Sequence, residues 1–320
     1  FEYMIGTNYY EESIFFGSRA FTNGVVSTLG APTVYDANTL GLFGSVSLDV
    51  SDALTVSAEA RYQSDKIHHI VSGGSDLEDT FKSFSPRVIA TYELSPDVNA
   101  YASVARGTRP GVFNSVFTAL SAFAQAQVLA QVSVPVAVPE ETLLSYELGL
   151  KGDFLDRRLR VMSAIYYGEW RDRQINQNIP YLATPGATTT STATLTFPNG
   201  QTDLWGLELE GSYQATERLM FDFMVNWAAT DIGFTDCAEC VAISGVRNPV
   251  GNLMERYPEF AGALGASYEA PLSSSLTGFL RGDLVYTGKQ YATAANIAYT
   301  AASQRVNLRA GVRTERYTIE

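Results

Sequence analysis

Two histidines and two cysteines are all that this 320-residue chain offers to soft-metal or thiol chemistry. His68 and His69 are adjacent, and neighbours at the end of a strand point apart, so they are expected in a solvated loop rather than on one metal ion. Cys237 and Cys240 flank Ala238-Glu239. A zinc site would want two more ligands nearby, and a redox pair would want a helix start that lowers the thiol pKa. The expectation is a local disulfide pinning an outer loop in an oxidising compartment. No Gly-Lys-Ser phosphate cradle, zinc-protease histidine pair or nucleophile elbow occurs, so catalysis has no candidate constellation and no cofactor is called for. Although 46% of the residues are hydrophobic, no apolar run approaches the roughly 18 residues of a membrane helix. Charged residues are only 18% of the chain, with 34 acids against 22 bases and a net charge of −12. That balance argues against a nucleic-acid surface. The chain opens on Phe1-Glu2-Tyr3-Met4 without an export signal, already inside an alternating stretch, so it is expected to be a piece of a longer protein.

Against these absences stands a beat. Val46–Val50 meets Leu54–Tyr62 through Ser51-Asp52-Ala53, and Val88–Leu94 meets Val98–Val104 through Ser95-Pro96-Asp97. Leu148–Phe154 meets Leu159–Tyr167 through Leu155 to Arg158, and Leu207–Tyr213 meets Phe221–Ala229 through Ala215 to Arg218. Ala263–Ala270 meets Leu276–Tyr286 across Pro271 to Ser275, and Val306–Val312 turns at Thr314-Glu315-Arg316. The segments between these hairpins run roughly 15 to 35 residues, so short turns fall on one side of a sheet and long loops on the other. A sandwich would turn about every 8 to 12 residues, and a propeller would repeat a blade motif. The reading is all-β: an antiparallel transmembrane β-barrel, of which about 13 strands are present. Single-chain bacterial barrels close with an even number, and open edges in lipid strand backbone polar groups, so this is expected to be a portion of a larger barrel.

Alternation assigns the faces, because successive side chains point to opposite sides. Leu207, Leu209, Gly211 and Tyr213 oppose Glu208, Glu210, Ser212 and Gln214, and Phe221, Phe223, Val225 and Trp227 oppose Asp222, Met224, Asn226 and Ala228. A strand tilted by about 45° climbs roughly 2.3 Å per residue, which sets Trp205 and Tyr213 about 19 Å apart on the apolar face. That approaches the height of an apolar band between aromatic girdles, about 25 Å.

Phe84-Ser85-Pro86-Arg87-Val88, then Tyr101-Ala102-Ser103 and Arg106-Gly107-Thr108-Arg109-Pro110-Gly111-Val112-Phe113-Asn114, closely resemble the barrel of TonB-dependent outer-membrane receptors. That family has an aromatic where Thr108 stands and a second glycine where Val112 stands. Pro139-Glu140-Glu141, Ser145-Tyr146-Glu147-Leu148-Gly149-Leu150-Lys151 and Gly206-Leu207-Glu208-Leu209-Glu210 resemble its next hallmarks in order, and Tyr257-Pro258-Glu259-Phe260 and Val306–Val312 its late-barrel segments. The resemblance implies that residues 1–320 are the C-terminal half to two thirds of a barrel of about 22 strands. An N-terminal plug domain, a TonB-contacting box and a final strand ending in an aromatic would then lie outside this chain. The function implied is active uptake of a scarce nutrient, foremost a ferric siderophore, otherwise a vitamin, metal complex or glycan. Its partners would be the TonB energy complex, acting through the plug, and the lipid and lipopolysaccharide of a Gram-negative outer membrane, and no enzyme is implied. A passive porin would lack the plug, and a ligand-sensing signalling receptor would carry a further N-terminal domain.

Arg106, Arg109, Arg171 and Arg173 lie where strands rise into loops. Guanidinium groups bind carboxylates and phosphates through paired hydrogen bonds, so with Asn114 they are the candidate contacts for an acidic ligand. They can equally pair with inward carboxylates such as Glu59, Asp153, Glu208 and Asp283. Pro110-Gly111 is read as a change of chain direction, since proline sets one dihedral and glycine frees the next. Phe117–Val138, rich in Ala, Gln and Val, is expected as a short helix within a loop or against the barrel mouth, and Thr-dense Ala183–Gln201 as a mobile outer loop.

Overall fold

Long alternating strands joined by tight turns pair with their sequence neighbours, because that closes the shortest loops and satisfies both backbone edges. The computed structural model describes residues 1–17, 21–22, 25–26, 33–71 and 75–320. Its main sheet runs in strict chain order: β1 (Glu2–Phe16), β2 (Thr33–Asp49), β3 (Leu54–Val71), β4 (Asp76–Ser95), β5 (Val98–Arg109), β6 (Glu141–Phe154), β7 (Leu159–Tyr181), β8 (Ser191–Thr216), β9 (Leu219–Phe234), β10 (Phe260–Pro271), β11 (Thr277–Thr287), β12 (Ser303–Arg313) and β13 (Thr318–Ile319). All pairings are antiparallel. Each tight turn expected from sequence joins the strands it was expected to join. The 13 strands agree with the expected number, and among the described residues β1 and β13 do not pair with each other, leaving the sheet an open barrel wall.

One row of cross-strand partners shows what each face meets. Leu48, Val56, Ala90, Ala102, Leu148, Ile165, Leu207, Trp227 and Phe260 succeed one another from β2 to β10, all apolar. The adjacent row of the pleat, Asp49, Thr55, Thr91, Tyr101, Gly149, Ala164, Glu208, Asn226 and Ala261, points the other way and is mostly polar or small. Leu148 and Ile165 are 54% and 52% exposed. In water each would forgo about 1.5–3 kcal/mol of burial, and lipid supplies it. Above this band, on the long-loop side, sit Tyr62, Phe84, Tyr146, Tyr167 and Trp205, with Tyr146 and Tyr167 stacked at 6.3 Å between centroids. Below it, near the tight turns, sit Tyr92, Phe154, Tyr213, Phe221 and Tyr268 on the same face. The two rows are the girdles of a transmembrane barrel.

β7 and β8 rise well beyond the upper girdle. A bulge between Trp170 and Arg173 interrupts their register, and pairing then resumes to Tyr181 and Ser191. The expectation of a mobile loop over Ala183–Gln201 is thereby corrected, because β8 begins at Ser191. Threonine is β-branched and suits a strand, and here Thr194 and Thr196 donate to Asn178 and Asn176 at 2.9 and 2.7 Å across the ladder. The opposite face of the same stretch, Ile179, Ala193, Leu195 and Phe197, is buried against Phe117, Val128 and Val132. Those three come from the 110–138 connection, which holds helices α1 (Ser115–Thr118) and α2 (Ala122–Leu129), as its composition suggested. A third helix, α3 (Ala238–Ser244), packs on β7. No helix among the described residues is long and apolar enough to cross a membrane. Crossing falls to the strands.

Candidate functional site

The inward wall carries its polar groups in networks that join neighbouring strands. At mid-height a concavity of about 530 Å³ is lined by Tyr101, Glu147, Lys151, Glu208, Asn226 and Tyr257, among others. Tyr101 donates its hydroxyl to Glu147, Asn226 donates to Glu208 at 3.0 Å, and the Lys151 ammonium lies 5.2 Å from the Tyr101 ring centre. Three carboxylates, Glu147, Glu208 and Glu210, face one lysine in this hollow, so its potential is negative. Nearer the tight turns, Arg281 on β11 grips Asp222 on β9 through two bonds of 2.9 Å, with Ser267 at 2.8 Å and Asp283 at 2.7 Å. Arg87 holds Glu59 at 2.7 Å, and Arg160 holds Asp153 at 2.8 Å. These fork-shaped pairs stitch strands side by side in a water-lined space, where each contributes modestly.

At the mouth the candidate arginines separate. Arg109, opposite Glu141 in the register, pairs with it at 2.9 Å, and the same carboxylate accepts from the Gln174 backbone at 2.6 Å. Arg173 is buried, 3.2 Å from Glu255 and 5.7 Å from the Trp170 ring centre. Arg106 and Arg171 instead share the outward face with Val104 and Tyr167, as strand alternation dictates. Arg106 pairs with Glu140 at 3.2 Å, and Arg171 with Glu169 at 2.8 Å and Asp203 at 3.8 Å. The structure therefore brings the four arginines to carboxylates, not to one another. Asn114 is engaged with backbone: its amide donates to Pro135 O at 2.8 Å and Thr196 O at 2.7 Å and accepts from Thr196 N at 2.7 Å. Gly111 sits where a Cβ would overlap the Phe81 ring and the Val138 carbonyl, and the Pro110 carbonyl accepts from Gln174 at 2.9 Å.

Cys237 and Cys240 form a disulfide, their Cα atoms 5.1 Å apart. Cys237 is the N-cap of α3, so the bond closes the first turn of that helix within its own loop, and Ala294 and Ala295 of another loop pack with Ile232 on the buried pair. His68 and His69 lie in β3 rather than in a loop, and they diverge as alternation requires. His68 meets Asp76 at 2.5 Å, while His69 lies edge-on to Tyr35 at 5.9 Å. Burial, with the neighbouring His68, holds His69 below its ordinary pKa. In the loop after β11 the Tyr291 hydroxyl, 2.7 Å from the Lys289 ammonium, holds that lysine above its own. Among the described residues no group of three or more His, Cys, Asp or Glu is placed to hold a metal.

Two features escaped the sequence reading. Glu147 lies opposite the outward Tyr146 and Leu148, so alternation alone would have placed it in the hollow with Glu208. Gln177 is buried, donates to Asp236 O at 2.6 Å and accepts from Ala238 N at 2.7 Å, tying β7 to the start of α3. Nothing local to Gln177 marks that role.

The family model described as TonB dependent receptor-like, beta-barrel, matches residues 1–319. Among solved structures, the ferric yersiniabactin uptake receptor FyuA from Yersinia pestis aligns with a TM-score of 0.66 at 16% identity, over 98% of this chain and 44% of its own. The siderophore receptor PiuA from Acinetobacter baumannii gives 0.69 at 15% identity, over 98% and 47%, and the copper transporter OprC gives 0.64 at 12%, over 98% and 46%. At these identities the likeness establishes the fold, and the chain spans under half the length of each of the three. No curated protein sequence matches it. With the girdles, the apolar outer rows and a family match over nearly every residue, the chain belongs to the TonB-dependent receptor family as part of its β-barrel.

Proposed function

We propose that the protein is an active-transport receptor that takes up a scarce nutrient, foremost a ferric siderophore, with energy from the TonB complex. The family resides in the outer membrane of Gram-negative bacteria, and so does this chain. The observation that carries the reading is the family match across residues 1–319. FyuA, a ferric yersiniabactin uptake receptor, and PiuA, a siderophore receptor, share the fold, and so does OprC, a copper transporter.

In this mechanism the mouth and lumen bind ligand, a plug occludes the barrel, and the energy complex pulls on the plug to release cargo inward. No covalent step is needed. The negative hollow around Glu147 and Glu208 favours a basic face on whatever fills the lumen. Of the candidate arginines, Arg109 has the most exposed side chain, at 55%, and is the proposed anchor for an anionic chelate. Arg173, with 6% of its side chain exposed, secures the Glu255 loop instead.

The test is growth of a strain deleted for the full-length gene on ferric siderophores, cobalamin or oligosaccharides as sole sources. Loss on one source, matched by a strain lacking TonB, is the expected result. Unchanged growth with altered small-solute permeability would make the protein a passive channel, and unchanged growth with lost ligand-dependent gene induction would make it a sensor.

A further inference from the structure

One row of the inward wall carries sulfur. Lys151 on β6, Met162 on β7, Glu210 on β8 and Met224 on β9 are successive cross-strand partners, so Glu210 has a thioether directly opposite it on each side. All four residues line the negative hollow that also holds Glu147 and Glu208. A barrel interior is polar by default, and methionine ordinarily fills apolar gaps in a core. Met224 is nonetheless 47% exposed on this face. Met162 and Met224 also border the next concavity toward the tight turns, again with Glu210 between them.

Glu210 differs from the carboxylates around it. Glu147 accepts from Tyr101, Glu208 from Asn226, Asp153 from Arg160 and Asp222 from Arg281, whereas among the described residues Glu210 accepts no side-chain hydrogen bond and makes no ion pair. Lys151 stands on the far side of Met162, and its ammonium lies over the Tyr101 ring. An uncompensated carboxylate in a negative hollow attracts a cation, and the donors beside it decide which kind. Calcium and magnesium want about six or more oxygen ligands, which one free carboxylate between two sulfurs does not supply. Thioethers select soft ions such as Cu(I). Direct cross-strand partners stand about 4.5–5.5 Å apart at Cβ, so the two methionine stems begin roughly 10 Å apart. Their unbranched, freely rotating side chains let the sulfurs close over Glu210 from either side.

We propose that Met162, Glu210 and Met224 form a binding site on the lumen wall for a soft monovalent metal ion, Cu(I) or its congener Ag(I), with two thioether ligands and one carboxylate. The proposal rests on the inward facing of these residues on β7 to β9 and goes beyond the question of which nutrient is carried.

The experiment titrates Ag(I), a redox-inert probe, into the full-length protein extracted from outer membranes in mild detergent and chloride-free nitrate buffer, with isothermal titration calorimetry as the readout. Wild type is expected to bind silver at a site that the double variant Met162→Leu/Met224→Leu, close to it in volume, weakens at least about tenfold. Glu210→Gln is expected to weaken it less, because both sulfurs remain. Met220→Leu removes the other inward thioether of β9, opposite Gln214 and nearer the tight turn, and is expected to leave binding unchanged. Unchanged heat-modified gel mobility establishes that each variant is folded. A wild type that binds no silver, or a double variant that binds it as tightly as wild type, overturns the proposal. An equal loss in Met220→Leu also overturns it, since the metal would then be held by scattered thioethers. Displacement of silver by the same concentration of calcium overturns it in favour of a carboxylate site for hard ions.

Discussion

Leu209→Arg is expected to destabilise the folded, inserted barrel by about 2–4 kcal/mol. Leu209 pairs with Ser163 on β7 and Val225 on β9, so it shares the outward face with Leu207 and Trp205. It lies midway between Trp205 and Tyr213, and at roughly 2.3 Å of climb per residue that is about 9 Å from each girdle. A guanidinium there is near the centre of the apolar band, where snorkelling is least effective. Urea unfolding of the full-length protein in lipid vesicles measures the cost. Glu210→Lys, one residue on, places its charge on the inward wall and should stay within about 0.5 kcal/mol of wild type. Equal stability of the two variants would overturn the assignment of faces for the β7–β9 segment, and a larger loss for Glu210→Lys would reverse it.

Asn114→Ala is expected to loosen the outer part of the β7–β8 hairpin and leave the membrane-spanning part intact. Pairing between β8 and β9 stops at Gln201, so among the described residues no strand continues that edge of β8 above it. Asn114 occupies that edge at Thr196, accepting from its N–H and donating to its carbonyl as a neighbouring strand would. Asn114 is 4% exposed, so the Thr196 groups it satisfies are shielded from bulk water. Each buried polar group left unsatisfied costs about 1–3 kcal/mol, and a local loss of about 2 kcal/mol raises amide exchange about 30-fold. Hydrogen exchange of Ala193–Phe197, with Glu208–Glu210 as internal reference, reads this directly. Unchanged protection at Ala193–Phe197 would mean that the packing of Phe117, Val128 and Val132 holds the hairpin without the asparagine.

The two variants probe features of different legibility. The facing of Leu209 is written in the sequence, because the strand period of two is a property of the backbone and needs no partner to be read. The tight turns were legible for a similar reason: Ser51-Asp52-Ala53 and Ser95-Pro96-Asp97 break pairing by local chemistry. Strand length was not. Ala183–Gln201 reads as a loop from its threonines, and the alternation of Ala193, Leu195 and Phe197 becomes a strand face only because α1 and α2 cover it. His68 and His69, read as loop residues, lie in β3 because β2 extends alongside them, His68 opposite Asp36 and His69 opposite Tyr35.

What the sequence by itself determined was therefore the periodic part: an all-β chain, its hairpins, its lipid-facing and lumen-facing residues, and the family hallmarks carried on them. Only the tertiary structure decided the pairings that cross the chain. Asn114 meets Thr196 across 82 positions, Arg173 meets Glu255 across 82, and Arg281 meets Asp222 across 59. Such contacts depend on which loops fold onto which strands and on the register between them. That is a balance of loop-closure entropy and packing that no local window contains.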